Sequence, residues 1–207
     1  MKTKGFTLIE LTIVVVIVGL MTQMLLMGQS AIHNARVHDI ITQQDGVRAA
    51  FMGFADRYRA LPGDYAAAST SLACVPACGN GNDNGRIDSA EATLAWTHLS
   101  AAGYISGNYR MAGPTDTAPN DANTPRNVYG AFITLGFDSA YGNGSQAAHH
   151  NIKTGGMVPA DILWEADVKM DDGLPYSGEF QADSAACVNT AQWSLLLNDC
   201  GAVTVLK

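Results

Sequence analysis

Residues 4–28 read KGFTLIELTIVVVIVGLMTQMLLMG, and how they are interpreted decides the architecture of the chain. From Leu11 to Gly28 the run stays apolar over 18 residues, broken only by Thr12, Thr22 and Gln23. As a helix, residues 8–28 extend about 31 Å, which matches the roughly 30 Å hydrocarbon core of a bilayer. Lys2 and Lys4 precede the run and no cation follows until Arg36. The positive-inside bias therefore predicts one membrane span, with a cytoplasmic N-terminus and everything after it outside. A cleaved secretory signal is the alternative. The length of the run, the lack of a small-x-small cleavage site behind it, and Glu10 inside its start all weigh against that alternative.

Beyond the span, Ile40, Val47, Phe51, Phe54, Tyr58 and Leu61 are spaced by 7, 4, 3, 4 and 3 residues. That spacing predicts a helix with one apolar stripe, and Asn34, Gln43, Gln44, Arg48, Arg57 and Arg59 fall mostly away from it. No proline interrupts, so span and stripe are expected to form one long helix over residues 6–61, about 80 Å in length. Leu61-Pro62-Gly63-Asp64 stops it, because the residue before proline is pushed toward extended geometry.

Composition changes at the same place. All seven prolines, all four cysteines and 16 of the 21 glycines lie from residue 62 onward. Residues 62–207 carry six cations against fifteen anions, whereas residues 6–61 are neutral and residues 1–5 hold two lysines. An acidic head of this kind speaks against sequence-independent binding of nucleic acid, which needs a basic face. Ample apolar content without a triplet glycine period excludes a collagen-like or disordered chain.

Glu10 needs a physical account, since an ionised carboxylate at the end of a membrane segment costs several kcal/mol if unpaired. A position in the headgroup region is one account. Its context offers another: Lys4-Gly5-Phe6-Thr7-Leu8-Ile9-Glu10 is a short basic leader ending in glycine, an apolar residue, and a glutamate four positions later. This resembles the N-terminus of type IV pilins and of the pseudopilins of type II secretion, closely over residues 1 to about 30 and only in outline over the head. The resemblance implies cleavage between Gly5 and Phe6 by a prepilin peptidase, and methylation of the new Phe6 amino group. In a filament of copies of itself or other pilins, Glu10 would pair with the Phe6 ammonium of a neighbour and set register. It further implies storage in the inner membrane with a periplasmic head, an inner-membrane assembly platform, and a final place in an extracellular pilus or periplasmic pseudopilus. Many type IV pilins carry a helix-bending proline where this chain has Met27; Gly19 and Gly28 are the flexible positions here.

The resulting fold class is α+β: a long N-terminal helix packed on a small antiparallel-sheet head, with a leader 1–5, a helix 6–61 and a head 62–207. Cys74, Cys78, Cys187 and Cys200 lie on the expected oxidising side and allow three disulfide connectivities. The pilin resemblance favours Cys187 with Cys200, closing a loop over 187–200, and Cys74 with Cys78. A zinc site is the alternative, although no CxxC spacing or nearby histidine cluster supports it.

Residues 80–91 fit an EF-hand loop. Asn80, Asn82 and Asn84 take the first, third and fifth ligand positions, and Gly85 the sharp turn. Arg86 offers its carbonyl, Ile87 is the buried apolar residue, and Asp88 and Glu91 stand ninth and twelfth. Calcium is the expected ion, with affinity near about 10⁻⁴ to 10⁻³ M because few ligands are charged. The competing reading is a plain turn whose Asp88-x-x-Glu91 caps a helix carrying Leu94, Trp96, Leu99 and Ile105.

Val128–Leu135, Ile162–Val168 and, more weakly, Trp193–Leu197 are expected strands, with Asp171-Asp172-Gly173 a turn. A cation between Asp167, Asp171 and Asp172 competes with a solvated turn. Segment 113–126 is expected as a polar loop and His149-His150 as an exposed one, with His33 and His38 solvated on the helix. Asn143-Gly144-Ser145 fits a glycosylation triplet. Without a nucleophile elbow, phosphate loop or HExxH helix the chain is not expected to be an enzyme. The expected function is a structural pilus subunit; a secretion pseudopilin, or a minor tip subunit whose head binds a ligand, are the alternatives.

Overall fold

The computed structural model describes residues 5, 7–74, 78–111, 116–144 and 146–206. The chain divides into two compact units, residues 1–36 and 37–207. Helix α1, Leu8–Tyr58, runs through 51 residues and supplies both. In the first unit its apolar side chains, Leu8 to Met27, are all exposed.

In the second unit α1 is the spine of the head. Val37, Ile40, Gln44, Val47, Ala50, Phe51 and Phe54 are buried, a 3–4 alternation that keeps one stripe on the core. Gln44 fills the gap between Ile40 and Val47 with a polar group, fully buried and accepting a hydrogen bond from Thr204 Oγ1 at 2.9 Å. Short helix α2 is Ala68–Ser71, and α3 is Ala92–Ala101. Helix α3 ends at Gly103, whose φ of 78° lets Gly103 N donate to Ser100 O and Tyr104 N to Leu99 O. Ile105 therefore lies beyond the helix predicted to carry it, though it still packs on the core.

Strands β1 (Thr134–Asp138), β2 (His149–Lys153), β3 (Phe180–Ala182) and β6 (Ala202–Leu206) form an antiparallel sheet in the order β1-β2-β6-β3. Helix α4 is Ala160–Met170, and a two-stranded ribbon pairs β4 (Val188–Asn189) with β5 (Gln192–Trp193). Strand β6 is buried at every residue, with Leu206 in the α1 cluster and Val203 and Val205 against Tyr141. The α+β expectation, a long helix with a small antiparallel sheet, describes the protein.

Several local expectations are corrected. Ile162–Val168 is helix, within α4, rather than strand: Pro159 sits at its N-cap, Asp161 in its first turn, and Lys169 pairs with Glu165 at 2.7 Å. Its buried residues Ile162, Leu163, Ala166 and Asp167 follow a helical period that the short apolar run concealed. Val128–Leu135 yields a strand only from Thr134, because the Asn127 side chain closes a turn by accepting from Tyr129 N and Ala131 N. Of Trp193–Leu197 only Trp193 is strand, as the end of β5 (Gln192–Trp193). His149 and His150 are not in a loop but begin β2, where Phe137 and His150 rings lie 4.9 Å apart.

Candidate functional site

The first site is the start of α1. Thr7 N and Thr7 Oγ1 both donate to Glu10 Oε2 at 2.9 Å, and Glu10 N donates to Thr7 Oγ1 at 3.3 Å. This reciprocal arrangement is a capping box, which satisfies helix-start donors that otherwise lack partners. Thr7 was overlooked in the sequence, although T-x-x-E ahead of an apolar run is its ordinary sign. Gly5 is exposed, and a Cβ added there meets nothing within 4 Å. The fold places no steric demand for glycine at this position. Lys2, Lys4 and Phe6 lie outside the described residues. Gly19 and Gly28 remain within the continuous helix, also with open space around an added Cβ, and Thr22 Oγ1 donates to Gly19 O at 2.9 Å.

The profile of the prokaryotic N-terminal methylation motif matches residues 1–22. The match supports the resemblance of this N-terminus to those of type IV pilins and pseudopilins. No curated protein and no solved structure matches the chain. A pilin-type N-terminus followed by an exposed apolar helix fits a subunit anchored in the membrane before assembly, and points to a structural protein rather than an enzyme. It also points to processing by prepilin peptidase and assembly with other pilins.

The second site is loop 80–91, whose polar side chains are engaged with one another. Asn80 Oδ1 accepts from Ser69 N at 2.8 Å, toward α2. Asn82 Oδ1 accepts from Asn84 N and Asn84 Oδ1 from Arg86 N, both turns closed by a side chain two residues back. Asp88 Oδ2 accepts from the amides of Asn82 (3.2 Å) and Asn84 (2.8 Å). Glu91 Oε1 accepts from Asn82 N at 2.9 Å and Oε2 from Asp88 N at 3.1 Å; α3 starts only at Ala92 with Glu91 itself at its N-cap, so Asp88 and Glu91 close the turn ahead of the helix rather than form the expected capping box. Gly85 adopts the left-handed φ of 79°. Arg86 covers the Phe137 ring and Ile87 O accepts from Phe137 N at 3.0 Å, tying the loop to β1.

Asp64 was read only as part of the stop after the helix. It is 2% exposed and accepts from Asn84 N at 2.9 Å and Gly85 N at 2.7 Å, so it anchors the loop from outside. Gly81 is required here, since a Cβ on it would overlap the Asp64 backbone. Burial pushes the Glu91 carboxyl above its ordinary range, the Asp88 and Asn82 amides oppose this, and the Asp64 and Asp88 charges reinforce it.

Cys74 pairs with Cys78 and Cys187 with Cys200, so no cysteine thiolate remains to hold zinc. Of the expected polar loop at 113–126, residues 116–126 are described, with Asn120 and Asn123 bonding their own backbone neighbours. In the expected glycosylation triplet, Ser145 lies outside the described residues.

His98, on α3, joins the loop to the end of α1. Its Nδ1 accepts from Gly63 N and its Nε2 lies 2.9 Å from Gly79 O, so the neutral ring with hydrogen on Nε2 satisfies both neighbours. Burial lowers its pKa from 6.5 to about 4, against a smaller opposing effect of the Gly79 carbonyl. Between those values the unfolded chain binds the extra proton, so His98 contributes stability that is lost as pH falls from 6.5 toward 4, about 3 kcal/mol in all. Asp167, raised from 3.8 to about 7 chiefly by burial, has the opposite slope over an overlapping range. The two are separated by residue: the His98 ring is expected to titrate near pH 4 by NMR. His98→Gln removes the His98 contribution alone, so the melting temperature of the variant should rise relative to that of the native chain as pH falls from 6.5 to 4.

Proposed function

We propose that the chain is a structural subunit of a type IV pilus-like filament. A prepilin peptidase removes residues 1–5 and the new Phe6 amino group is methylated. The subunit waits in the inner membrane, N-terminus cytoplasmic and head periplasmic, until an inner-membrane assembly platform adds it to the filament through α1. The observation that carries this is the coincidence of the methylation motif with a helix whose apolar side chains, Leu8 to Met27, are exposed. Burying such side chains among neighbouring helices supplies the drive for assembly, at roughly 25 cal/mol per Å² of apolar surface. The size of the head and its Cys187–Cys200 loop support a pilus over a secretion pseudopilus.

Mass spectrometry of the membrane-derived protein tests the proposal. The expected mature chain begins at methylated Phe6, and Gly5→Arg is expected to leave the leader in place. A native chain that keeps residues 1–5 would overturn the reading. Abundance then separates the roles, since a major pilin dominates sheared filaments and a tip subunit or pseudopilin does not.

A calcium role for loop 80–91 is a second reading, supported by the gathering of Asp64, Asp88 and Glu91 around one loop, where burial and, to a smaller extent, the Asp64 and Asp88 charges raise the Glu91 pKa. Its ligands would be drawn from Asn80, Asn82, Asn84, the Arg86 carbonyl, Asp88 and Glu91, several of which would exchange present hydrogen bonds for the ion. Millimolar calcium is expected to raise the melting temperature of the native chain by more than that of Glu91→Gln. No shift in the native chain removes this reading.

A further inference from the structure

We propose that Asp167, Asp171 and Asp172 form a binding site for a calcium-class divalent cation at the C-terminal end of α4, apart from loop 80–91. One carboxylate oxygen from each lies within 4.8 Å of the others, and among the described residues no other group of three such side chains does so. Exposed acidic clusters are common and say little alone. This one contains a buried member with an unused atom. Asp167 is wholly buried, its Oδ2 accepts from Trp193 Nε1 at 2.8 Å, and its Oδ1 has no hydrogen-bond partner. Buried polar atoms left in that condition are rare in folded proteins and point to a missing partner.

The other two carboxylates are fixed rather than free to swing away. Asp171 Oδ2 accepts from Glu179 N and Phe180 N, and Gly178 makes room for it, since a Cβ there would overlap the carboxylate. Asp172 Oδ1 accepts from Leu174 N at 2.8 Å and Oδ2 from Ser177 Oγ at 2.5 Å. Neutral donors thus hold the Asp171 and Asp172 carboxylates in place beside Asp167. The nearby cations are committed elsewhere, Lys169 to Glu165 at 2.7 Å and Arg48 to Glu179 at 2.9 Å. The end of an eleven-residue helix adds the negative pole of its dipole. An all-oxygen donor set without histidine or cysteine selects a hard cation, and calcium tolerates irregular geometry. Burial raises the Asp167 pKa to about 7, and the Asp172 and Asp171 charges push the same way; the Trp193 indole and the Gly173 amide oppose them.

Terbium is the probe, because Trp193 stands against the site as a sensitiser. On the full chain in detergent micelles after treatment with chelator, terbium emission excited through tryptophan is expected, with calcium displacing it. Asp171 and Asp172 are exposed, so the double variant Asp171→Asn/Asp172→Asn should fold. It should weaken terbium binding at least tenfold, while Glu91→Gln retains the emission. Absent emission, emission unchanged in the double variant, or emission lost only in Glu91→Gln would overturn the proposal. Absent emission would leave Asp167 as a buried protonated acid, and loss only in Glu91→Gln would assign the ion to loop 80–91. None of these outcomes bears on the filament reading, which rests on the mature N-terminus.

Discussion

Glu10→Ala is expected to leave leader cleavage intact and to reduce incorporation into sheared filaments by about a hundredfold or more. In the proposed filament this carboxylate faces the Phe6 ammonium of a neighbour in an apolar surrounding. Removing one partner of such a pair costs about 3–5 kcal/mol because the other charge is left uncompensated. The structure refines the account of the unassembled subunit. There Glu10 is already held by the Thr7 amide and hydroxyl, so it does not wait as a bare charge. Assembly exchanges neutral donors for a cationic one. Glu10→Gln retains the cap geometry but not the charge, and should assemble nearly as poorly as the alanine variant if charge pairing sets the register. Immunoblots of sheared and membrane fractions measure both; normal yield of Glu10→Ala filaments would sink the pairing account.

Phe54→Ala is expected to destabilise the head by about 3–5 kcal/mol, the usual cost of truncating a buried phenylalanine. Phe54 is fully buried where α1 meets α3 and the loop after it. Its ring lies 4.6 Å from that of Tyr58, 6.1 Å from Tyr65 and His98, and 6.3 Å from Tyr104. A cavity at this point loosens the packing of His98, which holds Gly63 and Gly79 and with them the anchor of loop 80–91. For a domain of this size the melting temperature should fall by roughly 10 °C, read by circular dichroism. Phe54→Leu, which keeps more of the volume, should fall by less than half as much. Equal melting temperatures for the native chain and Phe54→Ala would contradict the packing described.

The helical half of the fold was legible because its periodicity is sustained over many turns. The stripe at Ile40, Val47, Phe51 and Phe54 needed no tertiary information, whereas Gln44 was placed on the polar side since nothing local announces its partner Thr204, 160 residues away. The sheet was less legible. Strand β6 is buried on both faces, so its AVTVL has no alternation to betray a strand. Strands β1 and β2 are interrupted by polar residues that bond across the sheet, such as Lys153 to Asp138 at 2.9 Å. In helix α4 the stretch Ile162–Val168 offers five apolar residues with two acids among them, a run too short to separate the two periods.

At the sites, the N-terminal motif was read from contiguous residues and its chemistry is local. Loop 80–91 was found by its spacing, but Asp64 was missed because it approaches from a segment 20 residues earlier in sequence. Asp167 was noticed as one of three acids. Its burial and the Trp193 contact depend on the packing of α4 against β5, and no spacing rule conveys that.

The division of α1 between two units decides where this protein can be severed. Hydrolysis of the helix ahead of Val37 would release a head that keeps Val37 to Phe54 and hence its complete core. Hydrolysis after Tyr58 would strip the head of its spine and expose the apolar surfaces that had packed on it. A protease acting ahead of Val37 would thus release an acidic domain with its core complete, while one acting after Tyr58 would separate that core from its central helix.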